Sequence, residues 1–216
     1  FLKSLPGDDV LVGQYAAAIN LAKVPVFLFQ GLSTVLFPTV VSLYVKADVR
    51  NIRRLAAQSS RYFLLLALPF AALIVPVAPA VMEVLFGKPY RGGGAPLALL
   101  VIGYLFLSFA GILSAVAMGI ARPRVPMALM GLMVALSLAL NPLLIPRFGA
   151  VGAAAATAIS AVIGVVAFLA YVMRRLGAIF PIVTFLKGLG VSLLIGLIAW
   201  GASPERLDLV LMLGSL

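Results

Sequence analysis

The sequence predicts an all-α integral membrane protein, a polytopic helix bundle. Apolar residues fill 64% of the 216 positions, against about 45–50% in a soluble domain. The mean hydropathy is +1.21, and no single soluble core could bury so much apolar surface. The apolar residues also run continuously between short polar loops, in stretches of about 20, the length that crosses the hydrocarbon as a helix. The other spanning structure, a closed β-barrel, needs alternating segments of about ten residues, and these runs do not alternate.

The first span falls within residues 14–45, long for one straight crossing and short for two. Pro25 and Pro38 predict a kinked, tilted helix with one end projecting. Five further spans follow, at about 62–86, 95–121, 125–146, 150–173 and 179–202, and another begins near 207. The third, fourth and fifth carry no charge. "PFAALIVPVAP" (69–79) predicts a bent or hinged second span, because each proline removes a backbone bond. "GAVGAAAATAISAVIG" (149–164) repeats Gly149, Gly152, Ala153, Ala156, Ser160 and Gly164 at helical spacing, a face that lets another helix approach closely. The chain opens on Phe1 and stops in "LMLGSL", so it is expected to be part of a longer protein.

The loops carry the topology. Alternate loops at 46–61, 121–125 and 174–178 hold Lys46, Arg50, Arg53, Arg54, Arg61, Arg122, Arg124, Arg174 and Arg175. The opposite set holds Lys3, Lys88, Arg91, Arg147 and Arg206, with Asp8, Asp9, Glu83, Glu205 and Asp208. The more basic side is expected to be cytoplasmic, so the first span runs inward. The net charge of +10 then reflects membrane topology, and no nucleic-acid partner is expected.

Cysteine and histidine are absent, which excludes disulfides, thiolate and imidazole metal sites, and Ser-His-Asp triads. No paired carboxylates lie within a span, and no nucleophile has a base. "GGG" at 92–94 lacks the Lys and Ser/Thr of a phosphate loop and reads as a flexible turn. The chain is expected to be no enzyme and to need no metal or cofactor.

One charge stands out. Lys23, in "INLAKVPVF", is the only charged residue between Val10 and Val45. It lies roughly 13 Å along its helix at 1.5 Å per residue, too deep to reach the headgroups easily. A charge at mid-membrane costs about 2.5–3.5 kcal/mol on insertion scales, so Lys23 is expected to face the bundle interior or a water-filled cavity. Asn20 and Gln30 follow at helical spacing, and Asn141 is the lone amide of the fourth span. These four are the candidate cavity residues. Lys187, nearer a span end, is expected to snorkel, and Glu83 to sit at a solvated end.

"VGQYAAAINLAKVPVFLFQGLSTVLFP" (12–38) resembles the opening of the second half of polysaccharide flippases. "LFGKPYRGGGAPLALLVIGY" (85–104), "GIARPRVPM" and "LALNPLLIPRFGAVGAAAATAIS" (138–160) resemble later segments of that family. The resemblance covers about residues 8–176. It is to the O-antigen and polysaccharide flippases, within the superfamily that also holds multidrug extruders and lipid II flippases. It implies a two-lobed transporter of 12–14 helices around a central cavity. Residues 1–176 would be its C-terminal lobe, and 177–216 would hold additional helices. The implied activity is translocation of undecaprenyl-pyrophosphate-linked oligosaccharide across the bacterial cytoplasmic membrane by alternating access. The implied partners are that substrate, membrane lipids, Na⁺ or H⁺ as coupling ion, and the missing N-terminal half. Lys23 would meet the pyrophosphate. The alternatives are a cation-coupled drug or metabolite extruder, or a lipid II flippase, of the same superfamily. A membrane glycosyltransferase would need acidic residues on a sizeable loop, and no loop here exceeds about sixteen residues.

Overall fold

The computed structural model describes residues 9–120, 123–177 and 180–201. Among them there is helix and no strand. The helices are α1 (Asp9–Ala22), α2 (Val24–Val45), α3 (Val49–Phe86), α4 (Gly94–Gly119), α5 (Arg124–Leu176) and α6 (Ile182–Gly201), with a short 3-10 turn at Lys88–Gly93. The helix expected from 207 lies outside the described residues.

The first span is two helices. They meet at Lys23, whose N–H still donates to the Ile19 carbonyl at 3.1 Å. Pro25, in the first turn of α2, cannot donate to the Leu21 carbonyl, and the helix breaks there. Pro38 sits inside α2 without a break.

The expected loop 46–61 is mostly helix. Asp48 caps α3, its carboxylate accepting from the Asn51 N–H at 3.1 Å and the Asn51 side-chain amide at 2.7 Å. An N-cap of this kind satisfies an otherwise orphaned donor. Ile52, Ala56, Ser59 and Ser60 are buried along one face, so α3 begins thirteen residues before Tyr62, where hydropathy alone started the span.

α5 contains a reversal. Gly149 has φ 54° and ψ −130°, a conformation open to glycine and strained for other residues. Beyond it the chain folds back, with Gly152 against the Leu144 backbone and Gly164 against Met133. The two arms, 124–148 and 150–176, are thus an antiparallel hairpin. The expected small-residue face packs: Gly152, Ala153, Ala156, Ser160 and Gly164 are buried, and a methyl on Gly103 of α4 would lie 3.1 Å from Ala158 Cα.

α4 is the spine, touching α1, α2, α3 and α5. It carries no charge and is buried along most of its length, as a helix apolar on all sides should be. Phe63 of α3 stacks on Phe109 of α4, centroids 4.8 Å apart, and meets Phe29 of α2 at 4.6 Å. α6 packs on α3. The outer surface is apolar, with Leu28, Leu66, Val84 and Ile198 all exposed. In water such a surface would aggregate, and in a bilayer it meets lipid chains. The chain is a multi-pass membrane protein.

Candidate functional site

Lys23 sits at the α1–α2 break, half-buried. Its carbonyl accepts from the Val26 N–H at 2.9 Å and the Phe27 N–H at 3.4 Å, so helical rotation carries on through the joint. At about 100° per residue, Asn20, Lys23, Gln30 and Thr34 fall within an arc of roughly 80°. Ala18, Ala22, Phe29, Leu36 and Val40 are buried on the other side. Asn20, Gln30 and Thr34 are exposed. A polar stripe with one cation thus runs down the face turned away from the core of this bundle. Thr34 belongs to it and was not among the expected residues. Its hydroxyl donates back to the Gln30 carbonyl at 2.9 Å.

Asn141 is not on this stripe. It lies half-buried on the first arm of α5, and the hairpin register puts it level with Ala155 and Ala156. Close to it on the second arm, Thr157 donates to the Ala153 carbonyl at 3.1 Å, and Tyr15 of α1 and Tyr104 of α4 lie near it. These hydroxyls come from three helices that touch one another. Tyr15 and Thr157 stand in "VGQYAAA" and "AATAIS", two stretches that carry the flippase resemblance, but only the fold shows that they come close.

Two side-chain bonds link elements at the end of the bundle opposite the arginine-rich loops. The Gln14 side-chain amide donates to the Pro89 carbonyl at 2.6 Å, and Glu83 pairs with Arg91 at 2.8 Å. "GGG" is not a flexible turn. Gly93 and Gly94 are buried, and a methyl on Gly94 would lie 2.6 Å from the Pro79 backbone. These glycines are there for close approach. At the other end Arg53 lies beside Gly177, bringing the basic start of α3 to the basic end of α5. Lys187 is exposed on α6. Among the described residues no group of three His, Cys, Asp or Glu could hold a metal.

Residues 10–210 match the family described as lipid II flippase MurJ. The chain belongs to that family. MurJ-family proteins are transporters rather than enzymes. A solved structure, "Lipid II flippase MurJ, inward closed conformation", superposes with a TM-score of 0.66 at 18% identity, covering 86% of this chain and 45% of that one. That likeness shows the MurJ-like fold. An uncharacterized membrane protein of Methanocaldococcus jannaschii is 28% identical over 121 residues, 56% of this chain and 24% of its own. The chain therefore spans less than half the length of the proteins it matches. The superfamily inferred from sequence holds, while the family match is to lipid II flippases and not to the O-antigen branch. In this MurJ-family chain the Lys23 stripe places a cation and several polar side chains on one face of an otherwise uncharged span, turned away from the core.

Proposed function

We propose that the chain is the C-terminal part of a flippase that moves an undecaprenyl-pyrophosphate-linked precursor of the lipid II type across the cytoplasmic membrane by alternating access. The observation that carries this is the family match over residues 10–210, which favours lipid II over the O-antigen substrate expected from sequence. Residues 1–176 form the C-terminal lobe, and 177–216 supply additional helices. The loops rich in arginine lie in the cytoplasm, and a preceding half of the protein completes the cavity.

Within that cavity Lys23 meets the pyrophosphate. An ammonium on a flexible stem suits phosphate oxygens, and the charge it carries into the membrane is offset there. Asn20 and Gln30, on the same face, supply neutral donors for phosphate or sugar. Asn141, off that stripe, is kept as a candidate from the second wall. Na⁺ or H⁺ coupling drives the cycle.

The test uses the full-length gene in bacteria depleted of their own lipid II flippase. Lipid II in the outer leaflet is measured by its cleavage by an externally added enzyme. Wild type and Lys23→Arg should restore it, and Lys23→Ala should not. A hydrogen bond to a charged group is worth about 1.5–3 kcal/mol, so the alanine variant should bind substrate about 10- to 150-fold more weakly. Restoration by the alanine variant would return Lys23 to a structural role. Failure of wild type, with the protein inserted, would overturn the substrate.

A further inference from the structure

We propose that the groove between α3 and α6 binds an uncharged membrane lipid whose only hydrogen-bond donor is a single hydroxyl. The argument starts from proline. Pro76 has no N–H, so the Ala72 carbonyl one turn earlier lacks its helical donor. α6 crosses α3 at this height on small residues. A methyl on Gly188 would lie 2.9 Å from Leu68 Cδ1, and one on Gly196 would lie 3.5 Å from the Ala72 carbonyl oxygen. Ser192 stands between those two glycines, one turn from each.

The space left between the helices is a groove of about 530 Å³, lined by Ala72, Pro76, Ile102, Ser192, Leu193 and Leu197 among others. Leu193 and Leu197 are mostly exposed, so the groove opens toward lipid. Ser192 is only 6% exposed, and its hydroxyl has no hydrogen-bond partner among the described residues. The Tyr171 hydroxyl shares this condition. Ser60, Ser108, Ser160 and Thr157 all donate to the carbonyl four residues earlier, as helix hydroxyls in a dry setting do. The Ser192 hydroxyl makes no such bond.

The Ser192 donor and the Ala72 acceptor therefore share a mostly apolar groove without meeting each other, and Val75, its carbonyl freed in turn by Pro79, also lines it. A hydroxyl is the smallest group that accepts from one and donates to the other. Depth selects the rest of the ligand. Ser192 is eleventh in the twenty residues of α6, roughly 15 Å along at 1.5 Å per residue, midway through a hydrocarbon core about 30 Å thick. A charged or zwitterionic headgroup would be costly there. A neutral alcohol on long apolar chains is not, because both of its hydrogen bonds are made and its chains replace lipid against aliphatic walls. This reading is independent of the transported substrate.

Native mass spectrometry on the purified full-length protein tests it, with 1,2-dioleoylglycerol as ligand and its acetyl ester, which lacks the hydroxyl, as control. Wild type should hold the alcohol about two- to tenfold more tightly than the ester, the value of one buried hydrogen bond. Ser192→Ala should abolish that preference and Ser192→Thr should keep it. Pro76→Ala, which returns a helical donor to the Ala72 carbonyl, should weaken it too. Equal retention of alcohol and ester by wild type would overturn the proposal, and would point to a bound water or a covering helix. So would an unchanged preference in Ser192→Ala.

Discussion

Gly103 sits where α4 crosses the second arm of α5, and adding one methyl there tests how the bundle is held. That methyl would lie 3.1 Å from Ala158 Cα, 3.2 Å from its nitrogen and 3.4 Å from its Cβ. Carbon atoms rest at about 3.5–4.0 Å, so the two helices must part by roughly half an ångström. The obstructing atoms are mostly backbone, and no side-chain rotation relieves them. Overpacking of this kind costs about 1–3 kcal/mol, and alanine returns about 0.8–1.0 kcal/mol in helix propensity. In lipid no hydrophobic gain offsets the difference, since the chains leaving the interface are as apolar as the groups entering it. Gly103→Ala should therefore be destabilised by up to about 2 kcal/mol. Gly131 has nothing within 4 Å of the same added methyl, so Gly131→Ala should gain up to about 1 kcal/mol. Reversible unfolding of both variants in bicelles measures the difference. If Gly103→Ala proved as stable as Gly131→Ala, close α4–α5 packing would not be what holds this bundle.

Two further outcomes follow from the packing. Phe63→Ala loses ring contacts to Phe29 at 4.6 Å and Phe109 at 4.8 Å; at about 0.5–1.5 kcal/mol each, the same unfolding assay should show a loss of about 1–3 kcal/mol, and an unchanged stability would refute the role of the stack. Gln14→Ala removes the donor to the Pro89 carbonyl at 2.6 Å, worth about 1 kcal/mol, and amide exchange across 88–93 should quicken; unchanged exchange would show that this bond does not hold the turn.

Much of the candidate site was legible from residue type. A lysine deep in an apolar run is costly in lipid, so its presence alone marked Lys23, and its neighbours Asn20 and Gln30 followed from helical spacing. The helix break at Lys23 was legible only in part. Pro25 announced a kink, but Pro38 announced one equally, and only the structure shows the break at the first and a continuous helix at the second. Tyr15, Tyr104 and Thr157 come from three helices far apart in sequence, and no periodicity could join them. Ser192 looked like any helix serine, yet its hydroxyl does not donate to the Gly188 carbonyl four residues earlier.

The amino-acid sequence by itself determined that this chain crosses a membrane, roughly where, and that the arginines gather at one end. Those follow from the free energy of moving each residue between water and hydrocarbon, which is local and needs no fold. Tertiary structure alone decided where helices begin beyond the hydrocarbon, as α3 does at Val49, and which glycines are joints and which are contacts. "GGG" before α4 shows why. Glycine permits both a loose turn and a close approach, and only the neighbours, here Met82 and Pro79, select between them.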